Sequence, residues 1–534
     1  MMLGEPRASG LSPYYEFDTI ARVGDKTDKG EQITRIEPEV SVNEKGLVVF
    51  VGELNGEAEN VLLADGRSEI VNISQSPPRN WSFAQINNQD VIVARVLLSG
   101  RSMVVTWHAS NPGDYDIIAT TIYSAFSQLT LPVIANCLQG QQPLIAFLGR
   151  EGDLPFNLWV NDTGRSNEQE RVAYLSGTRL AHFRSMAAET NKRTVVVQYG
   201  ISEGDGRIAV YEDPEDLGLW DSTLIATNVG WDWVILGRAP GISDSGKVVA
   251  FLGFPGADYP GKPGVHIATA AGNFSTGFQV RRAVHDDDVI AQDDAGKPIT
   301  LTFPDDDFLS VNRVGVLHQE LGAEGFEDDS IVIVFVATPS KASRKNPASP
   351  DRPLLFTDKR GIWTVRIDVS KQPEFPHELV FHPGTPIPVI QEGDELDGGV
   401  VVDFLMYDPI SVPLVDPARH FHFPSRGDHY VAFSVALDTN GDGVADENRI
   451  LRAAYLDTDG DGLVDHWEEK GIDMDGDGLI DLDLPAMGAT SLRKDIFLEI
   501  DWLNPRTEGV PQGWTNQPAA GVTERLAKMF AEAP

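Results

Sequence analysis

A turn rich in Asn, Asp and Gly, followed by a short apolar run and repeated after about 45 to 55 residues, most restricts how this 534-residue chain can fold. Val42-Asn43-Glu44-Lys45-Gly46-Leu47-Val48-Val49-Phe50-Val51-Gly52 matches Ile242-Ser243-Asp244-Ser245-Gly246-Lys247-Val248-Val249-Ala250-Phe251-Leu252-Gly253 apart from one inserted residue. Ile86-Asn87-Asn88-Gln89-Asp90-Val91-Ile92-Val93-Ala94 repeats the turn, and Leu144-Ile145-Ala146-Phe147-Leu148-Gly149 repeats the strand. Further copies begin at Thr194, Ile331 and Tyr430. The turn reverses the chain and the apolar strand packs against the next unit, at a spacing that suits a four-stranded blade. The expected fold is mainly β: a β-propeller of about seven blades over residues 17–455. A tandem of β-sandwiches is the alternative, because degenerate repeats do not reveal closure.

Hydrophobic residues make up 41% of the chain and charged ones 23%, beside 50 glycines and 34 prolines, which suits a turn-rich globular protein. A formal charge of -37 argues against nucleic-acid partners, since no Lys/Arg excess exists to replace phosphate counterions. No stretch approaches the roughly 18 apolar residues of a membrane span. The start, Met1 to Arg7, carries no apolar core of a signal peptide, so the leader of an exported protein would have been removed or lie outside this sequence. Cys137 stands alone and reads as a small buried hydrophobe rather than a nucleophile. His420 and His422, with His429 nearby, could form a metal pair, but a structural place near a turn is the favoured reading. Two insertions, an acidic one from His285 to Asp307 and a basic one from Pro339 to Pro347, read as solvated loops.

After Tyr455 the composition turns to Asp and Gly. Between Asp438 and Asp483 there are 15 acidic residues against 3 basic ones, a crowding that calls for a cationic counterion. Three units share one spacing. The first offers Asp438, Asn440, Asp442, Val444 and Asp446; the second Asp457, Asp459, Asp461, Leu463, Asp465 and Glu468; the third Asp473, Asp475, Asp477, Leu479 and Asp481. Side-chain oxygens at positions 1, 3 and 5, a glycine at 6 and a backbone carbonyl at 7 wrap a cation of calcium's size. Only the second unit has a carboxylate at position 12, Glu468; Arg449 and Leu484 stand there in the others. The second loop is therefore the expected best site. The helix of that unit is predicted at His466–Lys470, stopped by Gly471.

These units resemble the aspartate repeats of thrombospondin type 3 modules, dockerins and EF-hand-like linkers of secreted bacterial proteins. The resemblance covers residues 438–484 and implies structural calcium in an extracellular setting, with a Kd of about 10⁻⁴ to 10⁻³ M. A second resemblance begins at Asp473 and runs through Lys494-Asp495-Ile496-Phe497-Leu498-Glu499-Ile500-Asp501-Trp502 to the end. It is similar to the opening of a zinc-metallopeptidase domain of large secreted bacterial proteins. In that family a His-Glu-x-x-His helix further on holds the zinc; this chain has no such motif, and no zinc ligand can be assigned. Residues 490–534 are expected to form an incomplete α/β segment, a strand over 494–502 followed by an amphipathic helix at Val522–Phe530.

The functional expectation is a secreted or cell-surface, non-catalytic, calcium-binding scaffold or binding protein, with carbohydrate or protein as candidate partners at the propeller face. The alternatives are the amino-terminal part of a secreted metallopeptidase and a hydrolase working in the propeller channel.

Overall fold

The computed structural model describes residues 12–497 and Gly521 apart from short segments, among them 137–142, 163–168, 175–181, 188–192, 320–328, 345–353, 412–427 and 473–479. The chain forms a β-propeller. Blade one consists of the antiparallel strands Ile33–Val42, Val48–Leu54, Glu59–Ala64 and Val71–Asn72. Blade two follows with Asn80–Ile86, Val91–Leu98, Arg101–His108 and Asp116–Thr120. Blades three, four and five occupy residues 126–174, 182–227 and 233–285, and blade six is a seven-stranded sheet over residues 289–391.

The apolar strands read as continuous runs because both blade faces are covered. Val48, Val49, Phe50 and Val51 are all 1% exposed or less. Phe50 packs with Ile450 on one side, while Val49 and Val51 pack with Trp81 and Ile92 on the other. A strand buried on two faces loses the alternation of a half-exposed one and favours β-branched residues. Similar cores join each sheet to the next, through Phe251 and Val210 to Trp363 and Ile267 and on to Phe433 and Val334.

The ring closes on a sheet that takes strands from both ends of the described chain. Glu16–Arg22 pairs antiparallel with Glu447–Tyr455, Glu16 opposite Ala454, and the sheet continues through His429–Asp438 to Gly399–Leu405. Where about seven blades were expected, about six are built entirely from consecutive strands, and the last copy of the repeat lies in the shared sheet that closes the ring.

The recurrent turn residue does two jobs. Asn87, fully buried, accepts hydrogen bonds from the amides of Gln89 (3.0 Å) and Val91 (2.9 Å), and its Nδ2 donates to Ala135 O of the next blade (3.1 Å). Asn43 repeats this, accepting from Lys45 and Leu47 and donating to Asn87 O at 3.2 Å. The turn cap is thus also a tether between blades.

Three expectations change. The acidic insertion is not all loop: Val289–Gln292 and Pro298–Thr302 pair as a hairpin that extends blade six, the β-branched residues between the aspartates outweighing the charge. In the basic excursion, Ser343–Arg344 pairs with Leu354–Phe356. Lys494–Phe497, expected to begin a strand, belongs to none; the rest of that stretch, the helix at 522–530, Cys137, His420 and His422 lie outside the described residues.

Blade five buries two histidines. His266 and His285 are 4% and 1% exposed, their ring centroids 5.0 Å apart, and His266 lies edge-on to Trp233 and stacked on Phe251. Burial, and then its neighbour His285, push His266 down to about 3; burial, then Arg282, pushes His285 down to about 4. A histidine held neutral in the fold contributes its full stability above the unfolded value of about 6.5 and loses it as pH falls toward the folded value.

Two measurements follow. Asn87→Ala strands two turn amides and a buried carbonyl, and denaturant unfolding should find it about 2 kcal/mol less stable than the parent; a loss under about 0.5 kcal/mol contradicts the tether. For the histidine pair, His266→Phe keeps the aromatic packing and should flatten the loss of stability between pH 6.5 and pH 4.5 relative to the parent. Parallel pH profiles of the two proteins contradict it.

Candidate metal centre

The first acidic unit is the tip of the hairpin between His429–Asp438 and Glu447–Tyr455, within the closing sheet. Asp438, 6% exposed, gathers the loop onto its carboxylate: Oδ1 accepts from Gly441 N (2.7 Å) and Asn440 N (3.2 Å), and Oδ2 from Gly443 N (2.7 Å). These amides, Gly443 first, hold its pKa below the usual carboxylate value. Gly441 and Gly443 take positive φ of 82° and 81°, which the tight turn requires. Asn440 accepts from Asp442 N at 3.0 Å, and Asp442 accepts from Val444 N at 2.8 Å. Asp446 accepts from Thr439 N and Oγ1 and from Asn440 Nδ2, so its oxygens close the loop from the far end.

The second unit starts just beyond the closing strand Glu447–Tyr455 and has the same internal design. Asp457, 1% exposed, accepts from Asp461 N and Gly462 N, while its own amide donates to Asp428 Oδ1 at 2.9 Å. Asp459 accepts from Asp461 N, and Asp461 from Leu463 N. Asp465 is bound on both oxygens by Thr458, at 2.7 Å from the amide and 2.6 Å from the hydroxyl. The helix Asp465–Lys470 begins there and ends at Gly471, as the sequence predicts.

One oxygen each from Asp457, Asp459 and Asp461 lie within 4.8 Å of one another. Two oxygens bound to one calcium ion at 2.3–2.6 Å can be at most about 5 Å apart, so the three fit a common ion of that size. Glu468 comes in from the first turns of the helix. It is 2% exposed, and both of its carboxylate oxygens are buried without a hydrogen-bond partner, as is Oδ2 of Asp459. Burial, and then the charges of Asp459, Asp461, Asp465 and Asp495, push Glu468 up to about 8; burial, then Asp461, raises Asp459. A buried carboxylate with no donor is costly. A bidentate cation ligand at position 12 is the arrangement that would satisfy it.

Of the third unit, Asp473, Asp475, Asp477 and Leu479 lie outside the described residues. Asp481 is exposed, and its amide donates to Ile472 O at 2.8 Å. Sequence reasoning missed four participants: Asp428, Asp495 and the two threonines, Thr439 and Thr458, that cap Asp446 and Asp465. The threonines had a signal, since Thr follows the first Asp in units one and two but Met474 does so in unit three.

Two other polar arrangements bear on catalysis. Ser245 Oγ lies 2.7 Å from His318 Nδ1, and His318 Nε2 lies 2.9 Å from the buried Asp329. The order is that of a nucleophile, a base and an orienting acid. Yet Ser245 sits in the turn that matches Asn43-Glu44-Lys45-Gly46, where buried Asn side chains already link neighbouring blades. Ser245 also accepts from Lys247 N at 3.2 Å and is 2.9 Å from Ser243 Oγ, so the chain reads as the same tether made with other residues. Separately, Glu44 is pushed up to about 7 by burial and then by Asp244 of blade five, with Asp90 adding to it. Blades one and five are not neighbours in the ring, yet the charge of Asp244 acts on Glu44.

No family model and no curated protein matches the chain. Among solved structures it is similar to the WD40 domain of SCAP from fission yeast, at 8% identity and a TM-score of 0.38 over 83% of this chain and 98% of that one. The Trypanosoma rangeli sialidase follows at 8% identity and 0.34 over 84% and 59%, and TolB from Acinetobacter baumannii at 10% and 0.31 over 66% and 65%. At TM-scores this low the likenesses carry no argument, and the propeller rests on its own sheet topology. No helix among the described residues is long and apolar enough to cross a membrane.

Proposed function

We propose that this chain is a calcium-binding β-propeller of an extracellular setting, a scaffold or binding protein whose metal loops stiffen the sheet that closes the ring and the connector that leaves it. The observation that carries the reading is Glu468, buried with two unpartnered oxygens beside the mutually close oxygens of Asp457, Asp459 and Asp461. Calcium would supply the positive charge that this cluster lacks, with the Leu463 carbonyl as the position-7 ligand. The first loop, with Asp438, Asn440, Asp442, Val444 and Asp446, is the weaker site, because Asp446 is committed to Thr439 and Asn440 and no carboxylate follows at position 12. Extracellular calcium is millimolar, so sites of the expected affinity would be filled there and nearly empty in a reducing cytosol; this supports the secreted or cell-surface placement and a structural use of the metal. Carbohydrate or protein at the propeller face remains the candidate cargo of such a scaffold, and Glu44 with Asp244, whose charge acts on it, is the carboxylate pair a channel hydrolase would use.

The test is thermal unfolding of the parent and of Glu468→Gln, each in chelator and in millimolar calcium. At a Kd of about 10⁻⁴ to 10⁻³ M each filled site adds about 1 kcal/mol, so calcium should raise the parent's Tm by on the order of a degree or two. Glu468→Gln should lose most of that rise, and in chelator it should be at least as stable as the parent, because it removes a crowded buried charge. A parent indifferent to calcium, or a variant that keeps the full rise, overturns the reading.

A further inference from the structure

Beyond the helix of the second loop the chain doubles back. Ile472 bridges to Leu482, a short 3-10 turn runs from Pro485 to Met487, and Thr490 bridges to Arg493. This path returns Asp495 to the loop, where its amide donates to Asp461 Oδ2 at 2.6 Å. The contact spans 34 residues, and it uses the one oxygen of Asp461 that the loop's own amide, Leu463 N on Oδ1, leaves over. The Asp495 side chain is 13% exposed; it accepts from Thr490 N at 3.0 Å and from Arg493 at 2.8 Å. Its charge acts on both Asp459 and Glu468.

Two parts of the returning segment are held by different forces. Ile472 and Leu484 are 9% and 1% exposed, so the first part is anchored by apolar burial. Leu492 and Ile496 are 65% and 66% exposed, so the second part has little apolar hold. The bond to Asp461 ties it to loop two, and that bond brings a sixth carboxylate up to Asp457, Asp459, Asp461, Asp465 and Glu468. Arg493 offsets this poorly, with 65% of its side chain in solvent. Like charges gathered in a partly dry site repel unless a cation stands among them.

We propose that the ion in the second loop is also the clasp of the segment that follows: residues 489–497 dock through Asp495 only when a calcium-sized cation is bound, so calcium sets the direction in which the chain leaves the propeller. This rests on the calcium reading of loop two and adds to it a positioning residue, Asp495, outside the repeat. The loop residues make the site, and the buried, unpartnered Glu468 points to the ion; Asp495 couples that site to the connector.

Hydrogen-exchange mass spectrometry of the full chain in calcium chloride and in chelator tests it, with calorimetric calcium titration of the same samples. In the parent, peptides within 489–497 should exchange at least about tenfold faster in chelator, while those holding Leu484 change little. Glu468→Gln should exchange fast in that stretch under both conditions. Asp495→Asn keeps the amide that bonds Asp461 and removes the repelling charge, so it should still bind calcium but stay protected in 489–497 under both conditions, which separates clasp from site; a variant that still needs calcium for that protection contradicts the clasp. If the parent binds calcium and 489–497 is equally protected with and without it, the clasp is wrong and the calcium reading stands. If the parent binds no calcium, both fall together.

Discussion

The pairing of Glu16–Arg22 with Glu447–Tyr455 is the constraint on which the other features depend, because it joins the two ends of the described chain in one sheet and closes this ring. Several side chains secure that seam. Tyr15 is buried beneath it, its hydroxyl 2.5 Å from Thr364 Oγ1 and 3.0 Å from His429 Nε2. Arg452 of the closing strand reaches both Asp18 and the carbonyl of Gly46 in blade one. Gly46 has φ of 73°, and a Cβ there would collide with that guanidinium, so the repeated turn needs glycine here for its conformation and for room.

The acidic segment is built onto this seam rather than hung from it. Loop one is the hairpin of the closing sheet itself. Loop two begins where the closing strand ends, and its helix rests on the other end of the chain, with Trp467 5.4 Å from Tyr14 and Lys470 2.6 Å from Glu16. A metal bound in either loop would thus bear on the closure of the ring as well as on the connector. The loops carry most of their shape in amide-to-carboxylate hydrogen bonds made within each unit. What those bonds leave unsatisfied is concentrated on Glu468, and this is why one residue can test the metal reading.

Much of the fold was legible because blades bury both faces of a strand, so that Val48-Val49-Phe50-Val51 and its relatives stand out as unbroken apolar runs after a polar turn. The closing sheet was less legible. Glu16-Phe17-Asp18-Thr19-Ile20-Ala21-Arg22 lacks the preceding turn, and its partner lies more than four hundred residues away, at Arg452 to Asp18 for example. The hairpin at Val289–Thr302 was hidden by the aspartates around it, which mark a turn and say nothing of the strands on either side. Within the acidic units, spacing revealed which residues could meet. It could not reveal that Asp446 and Asp465 would be taken up by the threonines, nor that Asp495 would return to Asp461 from outside the repeat.

Glu468 is either a metal ligand or a crowded, poorly satisfied acid, and the two differ in what surrounds its carboxylate. The most direct measurement is a crystal structure grown in millimolar calcium, with anomalous diffraction recorded to locate the ion. Calcium ligation by Glu468 entails an anomalous peak in loop two with oxygens of Asp457, Asp459 and Asp461, the Leu463 carbonyl and both Glu468 oxygens at about 2.3–2.6 Å. No peak there, or a Glu468 side chain turned away to solvent or to a protein donor, would contradict it.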